Sequence, residues 1–126
     1  MTFQQHMQLE QRLVAILTSM GQTEKEVVET LVAKHVRGQR NSPKGCVVAR
    51  FLTQALGALV QVSRGQAEIL KPPKWIPCSS CDLPPAVRHV VREFDYGAYP
   101  ELEEYPEFEE YAISTRLATP WRVLTD

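Results

Sequence analysis

The apolar residues of this 126-residue chain change rhythm after Gly57, and that change most limits the fold. Before Gly57 they recur at three- and four-residue intervals. After it, Leu59-Val60-Gln61-Val62-Ser63 and Gln66-Ala67-Glu68-Ile69-Leu70 flank Arg64-Gly65. Alternation on both sides of a two-residue turn reads as a β-hairpin. Two strands alone are marginal in water, so the hairpin must bury one face against helices. The expected class is α+β: about four helices, one two-stranded β-hairpin and an irregular acidic C-terminal tail.

The helices follow from spacing and start signals. Leu9, Leu13, Ile16, Leu17 and Met20 form a first stripe, with Phe3 and Met7 as candidates to extend it and Gly21 to end it. Thr23 with Glu26 three residues on is a capping box, and Val27, Val28, Leu31 and Val32 follow as the second stripe. Ser42-Pro43 is a candidate N-cap and first-turn pair for a third helix burying Val47, Val48, Phe51, Leu52, Ala55 and Leu56. Pro84 and Pro85 suit the first turn of a fourth, with Val87, Val90, Val91 and Phe94 on one face. Arg88, His89, Arg92 and Glu93 fall mostly on its other face. Residues 71–85 hold five prolines and read as a rigid, irregular connection.

Residues 1–97 are expected to form the compact domain, with 98–126 as the tail. In that tail Tyr99-Pro100-Glu101-Leu102-Glu103-Glu104 is followed by Tyr105-Pro106-Glu107-Phe108-Glu109-Glu110. Proline every six residues opposes a continuous helix. The patch Leu117–Leu124, with Trp121, can dock back on the domain.

Hydrophobic residues make up 44% of the chain, enough for a folded core. No apolar run approaches the roughly 20 residues that span a bilayer, and the start Met1-Thr2-Phe3-Gln4-Gln5 lacks the pattern of a secretory signal. A cytoplasmic location without a membrane partner is the expectation. Three cysteines, an odd number, argue against a disulfide framework.

Arg37-Gly38, Cys46-Val47-Val48-Ala49-Arg50-Phe51-Leu52, Leu83-Pro84 and Phe94-Asp95-Tyr96-Gly97-Ala98-Tyr99-Pro100-Glu101-Leu102 together resemble a group of small, functionally uncharacterised proteins of actinomycete bacteria. That pattern has a Gly/Arg-rich loop, a Cys-led helix, a hairpin, Leu-Pro before an apolar helix, and Phe-Asp-x-Gly-x-Tyr-Pro-Glu-Leu. The chain departs from it at Val47-Val48, where the group has Pro-Leu, and in having the Cys78/Cys81 pair. The resemblance covers roughly half of the sequence. It implies a compact α+β fold and no particular activity.

Three constellations carry candidate chemistry. Cys78-Ser79-Ser80-Cys81 has the spacing of half a zinc site, which Cys46 and either His35 or His89 would have to complete. The same pair before a helix permits a redox reading, though no βαβ pattern surrounds it. The simplest alternative is a pair of inert, reduced thiols, and no cofactor is expected.

Lys34, Arg37, Arg40, Lys44 and Arg50 occur without an intervening acid. Three helices followed by a hairpin is also the order of a winged helix, with Arg64 at the wing tip. Arg37, Arg40, Lys44, Arg50 and Arg64 are therefore the candidate nucleic-acid contacts, against a solvated loop as the plain alternative. Residues 1–75 carry ten Lys/Arg and five Asp/Glu, whereas 76–126 carry four and ten. Halves of opposite sign attract each other or serve different partners; the tail is then a solvated, partly extended spacer, a segment folded back over the basic loop, or a set of anchors for a partner.

Tyr99, Leu102, Tyr105, Phe108 and Trp121 are candidate anchors for a protein partner, with the intervening glutamates steering a basic surface. The exposed face of the fourth helix is a second candidate surface. Scattered histidines and the absence of a phosphate-loop motif give catalysis little support. The leading expectation is a non-enzymatic binding or regulatory module that engages another protein. A nucleic-acid binder and a zinc-stabilised domain remain as alternatives.

Overall fold

A computed structural model describes residues 3–104. Its elements run α1 (Phe3–Ser19), α2 (Glu24–Ala33), α3 (Val47–Leu56), β1 (Val60–Ser63), β2 (Gln66–Lys71), β3 (Ile76–Asp82), α4 (Pro85–Asp95) and a short 3-10 turn (Pro100–Leu102). The fold is α+β, with a three-stranded antiparallel sheet ordered β1-β2-β3 instead of a lone hairpin. Among the described residues no helix is long and apolar enough to cross a membrane.

The first hairpin forms where alternation predicts it. Val60 faces Ile69 and Ser63 faces Gln66. Arg64 and Gly65 both take positive φ, 55° and 78°. That is the backbone a two-residue turn needs to match the strand twist.

The third strand corrects the expectation of an irregular connection over 71–85. Only residues 72–75 turn; Ile76–Asp82 then pairs with β2, with a register shift between Ile69 and Leu70. Proline density concealed this strand, but Pro77 lies on an edge strand beside the irregularity. There its missing N–H removes no ladder bond.

One face of the sheet buries Val60, Val62, Ala67 and Ile69. The opposite face carries polar cross-strand pairs, Gln61 with Glu68 at 2.8 Å and Gln66 with Asp82 at 3.2 Å. The buried face meets helices: α1 packs on α3 and β3, and α3 on β1. Thr53 ties α3 to β1, its hydroxyl oxygen accepting the Val60 N–H at 3.0 Å. Arg12 donates to the Leu56 carbonyl at 3.2 Å, satisfying one of the orphan carbonyls at the end of α3.

Thr23 caps α2 as its sequence predicts, accepting the Glu26 N–H at 3.2 Å. Glu26 reaches back to the Gln22 amide at 2.8 Å. Ser42 does not cap α3. Its hydroxyl closes a turn by accepting the Gly45 N–H at 3.0 Å, and α3 begins at Val47 after Cys46. The first two stripes are narrower than expected, since Met7 and Val32 are each 45% exposed.

Residues 98–104, expected to belong to a separate tail, pack on the domain. Leu102 is fully buried. Its carbonyl accepts the Gly38 N–H at 2.9 Å, and the Glu104 N–H donates to the Gly38 carbonyl at 2.8 Å. This parallel bridge requires glycine at 38: a Cβ there would lie 2.2 Å from the backbone nitrogen of Val47. Tyr105, Phe108, Trp121 and the patch Leu117–Leu124 lie outside the described residues.

Candidate functional site

The basic stretch and the start of the tail meet side chain to side chain. Arg40 Nε lies 3.5 Å from Glu103 Oε1, and Arg50 Nη2 lies 3.2 Å from Glu104 Oε1. The other terminal nitrogen of Arg50 donates to the Arg37 carbonyl at 3.1 Å. Gln39 adds a third donor to Glu104, at 3.2 Å. The hydrogen bond from Arg50 and its positive charge hold the Glu104 carboxyl below the ordinary glutamate value of 4.5. Two of the arginines proposed as phosphate contacts are thus paired with this chain's own carboxylates. Lys44 is exposed without a partner among the described residues.

Helix α3 lies in the interior. Six of its ten residues are buried, and only Gln54 and Ala55 are exposed. A helix so enclosed has little side-chain surface to lay into a DNA groove.

The expected anchors are also engaged. Leu102 belongs to the core. Tyr99 is half-buried and donates its hydroxyl to Glu24 Oε2. His89 Nε2 lies 3.2 Å from Glu24 Oε1. Glu24 therefore joins the start of α2 to α4 and to the tail base.

The cysteines do not assemble with His35. Cys46 precedes α3, Cys78 and Cys81 lie on β3, and His35 follows α2 with φ of 56°. Among the described residues no three His, Cys, Asp or Glu side chains come together to hold a metal ion. Burial pushes the Cys46 thiol up; the amides of Val48 and Ala49 pull the other way more weakly, without forming a cap bond. Burial also raises the Cys81 thiol, reinforced by Glu10 and Asp82. Both thiols are thereby held in the protonated form, whereas thiolate is the nucleophile and the metal ligand.

An open cleft of about 720 Å³ lies between the β1–β2 turn, the 41–43 loop and α4. Its size falls within the range of small-ligand sites. Arg64 enters from the turn. Arg88 and Arg92, one helical turn apart on α4, line it from the helix. Pro43, Val62, Leu83 and Val91 supply apolar lining, and Ser42 and Ser63 supply hydroxyls.

Two carboxylates share the cleft, and each accepts a hydrogen bond from a neutral donor. Asp95 Oδ1 accepts the Asn41 N–H at 2.8 Å, and Asp82 Oδ1 accepts from Gln66 Nε2. Arg88 donates to the Leu83 carbonyl at 3.2 Å. The side chains of Arg64 and Arg92 have no hydrogen bond or ion pair among the described residues.

Two parts of this site are legible in the sequence: Arg64, a candidate phosphate contact at the turn, and Arg88 and Arg92, four residues apart on the outer face of α4. Their convergence depends on how the hairpin folds over α4. No protein-family model, curated protein or solved structure matches this chain significantly.

Proposed function

We propose that this protein is a non-enzymatic binding module that engages a partner protein, an acidic segment of which enters the cleft between the β1–β2 turn and α4. One observation carries this reading. Arg64, Arg88 and Arg92 line a single cleft, and none of them forms an ion pair with a carboxylate among the described residues. Guanidinium groups left unpaired at a concave surface are the usual means of recognising carboxylates and phosphates.

The proposed surface includes the outer face of α4, one of the two surfaces the sequence pointed to. The other, the aromatic tail, is less available as far as it is described, because Leu102 and Tyr99 serve the fold. The sign of the partner reverses with it: the cleft suits an anionic segment, whereas glutamates in the tail would attract a basic one. Binding is preferred to catalysis because the lining places no histidine beside a nucleophile and the thiol it contains, Cys46, is held protonated.

The test is a random-peptide display selection on the full chain, repeated on the double variant Arg64→Glu/Arg92→Glu. Acidic peptides should be enriched by the wild type and lost with the variant. Enrichment that survives the charge reversal, or no enrichment at all, would remove the reading.

A further inference from the structure

The cleft's chemistry points beyond acidity to one kind of anion. We propose that it binds a phosphate monoester, with Arg64, Arg88 and Arg92 around the phosphoryl oxygens and the apolar wall against the ester's carbon skeleton. This deepens the partner-binding reading and rests on the same cleft.

The number of guanidiniums is the first argument. A carboxylate has two oxygens and one charge, and a single arginine fork can satisfy both oxygens. A phosphate monoester carries about −1.5 to −2 charges near neutral pH and three acceptor oxygens. Three arginines delivered from two walls exceed what one carboxylate can use and match the larger anion.

The state of the surrounding groups is the second argument. Asp82 and Asp95 line the same cleft, yet neither forms an ion pair with these arginines; each accepts from a neutral donor instead. Arg88 is held in place twice. It donates to the Leu83 carbonyl, and its stem crosses the turn, its Cδ 3.5 Å from where a Cβ on Gly65 would stand. The Ser42 hydroxyl oxygen accepts from the Gly45 N–H, so its own proton remains to donate to an anion.

The lining supplies the third argument. Inorganic phosphate alone would leave most of a cleft of about 720 Å³ unfilled. Pro43 and Val91 offer apolar surface beside the cationic groups, which suits an organic ester. Its source is either a phosphorylated side chain of a partner or a small free phosphomonoester.

The experiment is an amide-resolved NMR titration of the full chain at constant pH and ionic strength. The probes are acetate, inorganic phosphate, free phosphoserine and a glycine-flanked phosphoserine peptide. Phosphate-bearing probes should shift amides of residues 41–42, 63–66 and 88–92 saturably, at least about tenfold more tightly than acetate, a difference of 1.4 kcal/mol. Arg64→Gln/Arg92→Gln should weaken them by about tenfold or more, and Arg40→Gln/Arg50→Gln by less than about twofold. The altered arginines of the cleft are exposed, and an unchanged amide spectrum verifies the fold.

Equal affinity for acetate and phosphate, or phosphate binding indifferent to the Arg64/Arg92 variant, overturns the proposal. If phosphate is no better than acetate while acidic peptides are still selected through the cleft, partner binding stands and this inference fails. If phosphate probes bind, no acidic peptide is selected and the phosphoserine peptide binds no more tightly than free phosphoserine, the inference stands and the partner reading fails. A phosphopeptide tighter than phosphoserine identifies a protein source; equal affinities identify a small ester.

Discussion

Two groups of arginines in this protein differ in what faces them. Arg40 and Arg50, from the uninterrupted basic stretch, meet Glu103 and Glu104. Arg64, Arg88 and Arg92 are scattered through the sequence and converge on a cleft whose carboxylates are bonded elsewhere. Arg40 and Arg50 are matched internally, whereas Arg64 and Arg92 form no ion pair among the described residues. Charge density along a chain therefore indicates where cations are, and only spatial neighbours indicate which remain free for a ligand.

The comparison can be broken most severely at the tail base. Leu102→Ala should destabilise the protein by about 2–5 kcal/mol, as for other fully buried leucines, measured as a shift of the urea midpoint. If it costs no more than a surface change, the 98–104 segment does not belong to the core and the pairing of Arg40 and Arg50 loses its support. Gly38→Ala should cost about 1–3 kcal/mol by forcing backbone against backbone where a Cβ would meet Val47. Both changes loosen the loop and should leave the cleft's anion preference intact in the folded fraction.

A smaller effect sharpens the contrast from the other side. Arg64→Gln/Arg92→Gln should change stability by no more than about 0.5 kcal/mol while removing anion binding. A large stability loss would mean that these arginines have internal work and that the two groups are alike.

Acid gives the smallest effect. Because Glu104 is held below its ordinary value, its pairing contributes stability above that ordinary value. The contribution fades as pH falls through the lower, folded-state value. Amide shifts of Gly38 and Glu104 should move in that acid window, and Glu104→Gln should abolish the component due to Glu104. The arginines of the cleft stay charged throughout, so the cleft's own cationic groups do not titrate with it. A Glu104 that titrates at 4.5 or above would contradict the pairing.

Much of the fold was legible because its signals are local. Thr23 and Glu26 sit three residues apart, Arg64-Gly65 supplies the positive-φ turn, and the buried face of α3 recurs at helical spacing. β3 was hidden because proline density outweighed a weak strand pattern, and only pairing with β2 shows Pro77 at an edge. Leu102 reads as an anchor in the sequence and is buried in the core in the structure, because a leucine among glutamates looks the same whether it is bound for a partner or for its own core. Of the cleft, Arg64 at the turn and the Arg88/Arg92 pair on α4 are each visible in the sequence; their convergence is not.

The amino-acid order by itself determined the helices, the hairpin and the α+β class, since spacing and turn residues act over a few neighbouring positions. The tertiary structure decided which arginines are neutralised and which converge. Ion pairing and cleft formation depend on distances in space between residues such as Arg50 and Glu104, 54 positions apart, and no local pattern encodes those distances.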